Sequence, residues 1–340
     1  MTSTATRVEP DRLEGQRTAA RLWVLHGLAW FALIAYCWTM WVLSGDFTPN
    51  TLGRGLEPTW YVVLVRCVEV FFGILMSGWI LWRFVLGPKI RTGRFTFDGL
   101  FFLSAWLMFF QEPWINWTVY QFQYATTFVN FGGWMAHIPG WSSPNADKIP
   151  VPLVYGMAYL WMCGMLGYAS SRYMARQRRR DPGRSVFRLI TQTYALMIAI
   201  DIVMELTMTR LGLISYSMTI PSLTLFAGTD HQFPLYEPFS WAGTFVVLGC
   251  LHFFRDDRGR SLPERHIDKL RLGERARTFA RFLAVLGVCQ LAILGTFNIP
   301  YWLYALHTGP IPAAHIEREW RNGGVCGPQT TWKECRLVYR

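Results

Sequence analysis

The sequence predicts an all-α, polytopic membrane helical bundle of about seven transmembrane helices, N-terminus in and C-terminus out. Three observations predict it. The 340 residues are 52% hydrophobic and only 16% charged, where soluble domains carry about 25% charged residues. Seven apolar runs approach the roughly 20 residues needed to cross a hydrocarbon core. Lys and Arg crowd into every second connecting segment, as the positive-inside rule requires.

The runs are 22–44, 60–86, 97–115, 152–174, 186–209, 239–254 and 280–305. The sixth is the shortest. Segments 1–21, 83–94, 172–188 and 255–281 hold four, four, seven and nine basic residues. The alternate loops 45–59, 116–151 and 210–238 hold one each: Arg54, Lys148 and Arg210. Twenty-four against three places the first set in the cytoplasm. The organisation expected is a cytoplasmic tail, 1–21, a transmembrane domain, 22–305, and an exterior tail, 306–340. Within the domain, 117–141 is aromatic and Gly-rich, and 211–227 is broken by Pro221 and followed by Gly228. Both read as interfacial or re-entrant segments. The polar start followed by a full-length apolar run argues against a cleaved signal peptide. The expected location is an integral position in a bacterial cell membrane.

The net charge of +11 does not point to nucleic acid, because the basic residues sit in short loops where topology demands them. Cys37, Cys67, Cys163, Cys250 and Cys289 lie in the runs and read as packing residues. Cys326 and Cys335 lie in the exterior tail, where a disulfide is expected. The 17 Trp suit membrane interfaces.

The polar residues inside the runs carry the functional signal. Asp201 and Glu205 are four apart on one helix and share a face. A charged group at bilayer depth costs at least about 2.5–3.5 kcal/mol, so such a pair needs a partner or a task. The predicted topology puts them in the outer half of the fifth run. Arg66 and Glu69 fall in the outer half of the second run. Gln111, Glu112 and Asn116 fall at the outer end of the third. The exterior loops add Trp134, His137, Trp141, Asp230, His231, Tyr236 and Glu237. Only Asp98 lies at the cytoplasmic end. This is the arrangement of a polar cavity opening outward. Each residue also has a plainer role open to it. Arg66 and Glu69, three apart, would neutralise each other within one helix. Glu112 before Pro113 would end a helix. The His residues would sit at the interface.

Several chemistries lack their residues. The seventh run has no Lys for a retinal Schiff base. The His residues are isolated, so no di-iron His boxes exist. There is no H-E-x-x-H helix, G-x-S-x-G turn, Asp-rich diphosphate motif or Gly-rich phosphate loop. Carboxylates, an Arg and His in an apolar bundle suit proton transfer on a lipophilic substrate, with no cofactor and no metal.

The run Gln111-Glu112-Pro113-Trp114-Ile115-Asn116, with Gly133-Trp134 and Ile138-Pro139-Gly140-Trp141, resembles the AveC-like spirocyclase family. So do Asp201 with Glu205, Phe233-Pro234-Leu235-Tyr236-Glu237, and Phe253-Phe254-Arg255-Asp256-Asp257-Arg258-Gly259 followed by Glu264-Arg265. Where that pattern has Asp before the proline, this chain has Glu112. The resemblance spans about 60–270. It implies acid/base closure of a dihydroxy-ketone into a spiroketal, or a dehydration, on a polyketide-like substrate in a membrane, without a redox cofactor.

The expected function is thus a membrane-embedded cyclase acting on a lipophilic polyketide-like or isoprenoid molecule. Asp201, Glu205 and Glu112 would be catalytic. Arg66, Glu69, Gln111, Asn116, Trp134, His137, Trp141, His231, Tyr236 and Glu237 would bind substrate. The expected partners are that small molecule and the lipid bilayer, not nucleic acid; oligomeric state is left open. A proton-coupled transporter would also use intramembrane acids, and a non-catalytic subunit of a membrane lipid pathway is the third possibility. The absence of internal repeats and the small number of Gly/Pro-broken spans weaken the transporter.

Overall fold

The computed structural model describes residues 5–143, 146–316 and 318–321. Cys326 and Cys335 lie outside them. The fold is mostly helical, and helices stand at all seven apolar runs. We number them α1 (Ala5–Leu43), α2 (Thr59–Thr92), α3 (97–116), α4 (153–180), α5 (Val186–Arg210), α6 (Glu237–Phe253) and α7 (Glu274–His307). Four stretches are long and apolar enough to cross a membrane: Glu14–Leu43 within α1, and α2, α5 and α7.

Local chemistry sets the helix ends. The Thr96 hydroxyl accepts from Gly99 N–H at the start of α3, and the Ser185 hydroxyl accepts from Arg188 N–H at the start of α5. Each satisfies an otherwise orphaned donor. α2 ends at Gly93, which adopts a φ of +70°, a conformation open to glycine without strain. α3 is α-helical only over Phe97–Trp106. Leu107–Asn116, which contains Pro113, tightens to a 3-10 helix, because proline cannot donate the next helical hydrogen bond. α4 is widened by a π stretch at Leu160–Met165.

The helices pack through small residues, the usual device where lipid removes the hydrophobic drive between helices. A Cβ on Gly249 of α6 would come within 2.5 Å of Ser170 Cβ of α4. One on Gly27 of α1 would come within 1.8 Å of the Leu283 carbonyl oxygen of α7. α6 packs between α4 and α5, and α3 contacts α2, α4 and α7.

Three connecting loops meet one another. Arg54 donates to the Thr126 and Phe128 carbonyls, each at 2.8 Å, and Asn50 donates to the Lys148 carbonyl. Ser217 N–H reaches the Gln121 carbonyl at 2.9 Å, and Thr126 N–H reaches the Trp320 carbonyl at 2.9 Å. Loops 45–59, 116–151 and 210–238 therefore form one cap. At the other end, Arg94 pairs with Glu274 at 2.9 Å and Arg281 with Glu264 at 2.7 Å.

The segments expected to be interfacial or re-entrant hold short strands. β1 (Phe122–Tyr124) pairs antiparallel with β2 (Ile214–Tyr216), with Phe122 opposite Tyr216 and Tyr124 opposite Ile214. β3 (Thr224–Leu225) pairs with β4 (Phe233–Pro234). β1 and β2 are buried throughout. Non-helical backbone survives there only if its polar groups are bonded. Side-chain amides do this. Asn116 Oδ1 accepts from Gln121 and Phe122 N–H, and Gln232 Nε2 donates to the Tyr216 and Ser217 carbonyls.

Candidate functional site

The buried residues of α5 are Leu189, Thr193, Met197, Asp201, Glu205 and Thr209. They recur every four residues, so α5 turns one stripe inward and leaves the remainder to lipid. Asp201 and Glu205 lie on that stripe, 0% and 3% exposed. Opposite them, the first turn of α6 brings in Glu237, 0% exposed. One carboxylate oxygen from each of these three residues lies within 4.8 Å of the others. Sequence reasoning placed Glu237 in an exterior loop as a binding residue. The structure makes it the third member of an acid cluster, because α6 starts two residues before its apolar run.

Tyrosines complete the site. The Tyr124 and Tyr159 hydroxyls donate to Oε1 and Oε2 of Glu112, so both oxygens of that carboxyl accept. Tyr216 donates to Glu205 Oε2 at 3.0 Å. The strand pair explains two of the three: β1 carries Tyr124, β2 carries Tyr216, and their register holds both over the helices. Tyr159 comes from α4, one residue before its π stretch. Glu112, Tyr124, Tyr155, Glu205, Met208 and Tyr216 line one cavity, closed elsewhere by apolar groups that include Trp241 and Phe297. Its volume is about 20 Å³, room for about one water.

The cluster has an unusual polar balance. No oxygen of Asp201 or Glu237 has a well-aligned hydrogen bond among the described residues, yet the two carboxyls lie within reach of each other, and Glu237 also within reach of the Tyr216 hydroxyl. Two carboxyls can bond only through a shared proton. No Arg, Lys or His forms an ion pair with Glu112, Asp201, Glu205 or Glu237 among the described residues. Four buried carboxyls without a cation cannot all be charged, so this group of acids holds protons; Glu112 and Glu205 line the cavity, and Asp201 and Glu237 adjoin Glu205. Asp201, Glu205 and Glu237 are also the donor set, among the described residues, close enough to hold a metal ion.

The other expected site residues lie apart from this cavity. Arg66 pairs with Glu69 and donates to the Thr127 carbonyl, while Glu69 accepts from Val129 N–H at 2.6 Å. The pair ties α2 to the cap. Gln111 bonds Gln290 at 2.7 Å and Asn298 at 3.0 Å, joining α3 to α7. Asn116 holds the turn into β1. Trp134 donates to the Phe110 carbonyl at 3.1 Å inside an aromatic cluster, and Trp141 donates to Ser143. His137 faces Asp46 at 3.0 Å, and His231 faces Asp230 at 2.9 Å, both in the cap. Tyr236 accepts from Ile220 N–H at 3.4 Å. These residues build the frame around the acids.

Tyr124, Tyr155, Tyr159 and Tyr216 were not legible as site residues. The chain has 14 Tyr, and nothing local marks these four. Only the strand pairing and the α4 contact bring them to the carboxyls.

No curated protein and no solved structure matches the chain. The family described as Spirocyclase AveC-like matches residues 92–320. That stretch contains Glu112, Asp201, Glu205, Glu237 and the tyrosines around them, and it excludes Arg66 and Glu69. It is well over half of the sequence, and the chain belongs to the AveC-like spirocyclase family.

Proposed function

We propose that this protein is an acid/base cyclase that crosses the membrane seven times and acts on a lipophilic, polyketide-like or isoprenoid carbonyl compound. One observation carries the reading. Glu112, accepting from two phenols, and Glu205, with Asp201 and Glu237 beside it, stand at one small cavity whose other walls are tyrosine and apolar side chains.

Spiroketal formation from a dihydroxy-ketone needs both kinds of group. Two hydroxyl oxygens bond to one carbonyl carbon, and the carbonyl oxygen leaves as water. Glu112 is set to take a hydroxyl proton. Glu205, resupplied by the Asp201–Glu237 pair beside it, is set to give a proton to the carbonyl oxygen, first to activate it and then to release it. The second hydroxyl proton returns to the cluster, and the proton taken by Glu112 passes on to it as well, so all four acids end as they began. Tyr216, bonded to Glu205, links the cluster to the side of the cavity where Tyr124 and Glu112 stand. A dry, preorganised site strengthens each of these interactions. A dehydration would use the same donor and acceptor.

The test uses membranes holding the full chain and a long-chain dihydroxy-ketone, with products followed by mass spectrometry. The expected product is lighter by one water, and Glu112→Gln abolishes its formation at normal protein level. Unchanged conversion by that variant would refute the assignment. Proton-dependent movement of the ketone across sealed vesicles, without conversion, would establish the transporter instead.

A further inference from the structure

A second, larger space lies directly beside the acid cavity. It is an apolar groove of about 280 Å³ between α2, α4 and α5. Val68 and Phe72 of α2 form one wall, Ala158 and Trp161 of α4 the second, and Val203 and Met204 of α5 the third. Val203 is 68% exposed, so the groove opens on the face of α5 that the acid stripe leaves to lipid. Tyr155 and Met208 line both the groove and the acid cavity. Two side chains therefore form the partition between lipid and acids.

That partition is weakly held. The Tyr155 hydroxyl donates to the Met208 sulfur at 3.7 Å, and a thioether is a poor acceptor. Methionine is also unbranched and readily changes shape. Behind the partition the cavity holds about one water, too little for any cyclisable ketone. Substrate access therefore requires opening, and this is the wall with lipid-facing apolar space on its far side.

We propose that the groove seats the hydrocarbon chain of the lipophilic substrate, and that Tyr155 and Met208 are a gate through which its carbonyl end enters from the bilayer. This rests on the cyclase reading. The groove supplies almost no polar atom to a ligand, which selects an alkyl or polyene chain. The acids lie only one side chain deeper. A substrate with its chain in the groove thus presents its carbonyl to Glu205 and Glu112.

The experiment is photolabelling of the full chain in membranes with a long-chain dialkyl ketone that carries a diazirine in mid-chain. Labelled peptides are mapped by mass spectrometry. The expected labels fall on the α5 peptide containing Val203 and Met204 and on the α4 peptide containing Trp161. V203W/T207W fills the groove mouth from exposed positions and should lower this labelling several-fold at normal protein level. Leu211→Trp, one turn further along the same face of α5, should do the same. Met208→Ala should open the gate and extend labelling to β2. Labelling elsewhere, or labelling unchanged by both blocking variants, overturns the proposal. Glu205→Gln separates the two readings. If it keeps the groove label and loses turnover, both stand. If it keeps both, the groove stands and the acid/base role fails. If acid variants lose turnover while the groove takes no label, the groove alone fails.

Discussion

Tyr216 and Glu205 are eleven residues apart and meet as donor and acceptor at 3.0 Å, the tyrosine on a strand and the acid on a membrane helix. The chain reverses between them through Gly212, whose φ is +72°. Tyr216→Phe keeps the ring packing against Phe122 and Phe233 and removes the hydroxyl. An oxygen of a buried carboxyl then loses its donor, at a cost of about 1–3 kcal/mol. The expected result is lower thermal stability in detergent together with slower turnover. Unchanged values for both would show that this bond supports neither.

Asp201→Asn, Glu205→Gln and Glu237→Gln should each express at normal level, and at least one should lose turnover by about 10²- to 10⁴-fold. Normal turnover per molecule in all three would remove the cluster from the mechanism. Because the same three residues are spaced to hold a metal ion, chelation is the companion measurement. The reading proposed above expects turnover to survive it. Loss restored by one added cation would make these residues metal ligands.

Arg66→Ala should leave turnover unchanged. Its side chain is 43% exposed, and partly exposed ion pairs contribute about 1 kcal/mol or less. The effect expected is a small loss of stability from freeing the Thr127 carbonyl. A large fall in turnover at normal stability would return Arg66 to the site.

Asp230 anchors the start of the C-terminal tail to the cap through Arg318 and Arg321. Burial works to raise its pKa, but the His231 hydrogen bond and the Arg321 and Arg318 charges together outweigh it and hold the carboxyl below its ordinary value. A depressed folded-state pKa stabilises fully above the unfolded value, about 3.9, and the contribution fades as pH falls through the lower folded value. Docking of 318–321 should therefore be insensitive to pH across the neutral range and weaken only below about 4. Asp230→Asn should loosen it at neutral pH. Faster tryptic cleavage at Arg318 and Arg321 in the variant would be the readout, and equal rates would refute the anchor.

A cysteine added within 172–184 should react with an impermeant maleimide only after cells are permeabilised, and one within 142–148 should react in intact cells. The motive is the asymmetry of basic residues, together with the packing of loops 45–59, 116–151 and 210–238 into one cap. The reverse pattern would turn the acid cavity toward the cytoplasm.

Helix positions were legible because they depend on local composition. A run of apolar residues specifies a buried or lipid-facing helix wherever it falls, and the four-residue spacing of Asp201 and Glu205 specifies one inward face for both. Glu112 was legible for a similar reason, as an acid beside a proline near the end of an apolar run. Arg66 and Glu69 looked equally functional by depth alone. Only the fold showed that loop 126–129 occupies both, since a backbone carbonyl and an N–H leave no sequence mark.

The sequence by itself determined the helical membrane architecture, the acid pair on α5 and the acid before Pro113, all through patterns within about one helix length. The tertiary structure alone decided which groups join them. Antiparallel pairing of Phe122–Tyr124 with Ile214–Tyr216 brings in Tyr124 and Tyr216 from segments about ninety residues apart. The contact of α4 adds Tyr159, and the start of α6 adds Glu237. Hydrogen bonding across such distances follows from packing geometry, which no spacing along the chain encodes.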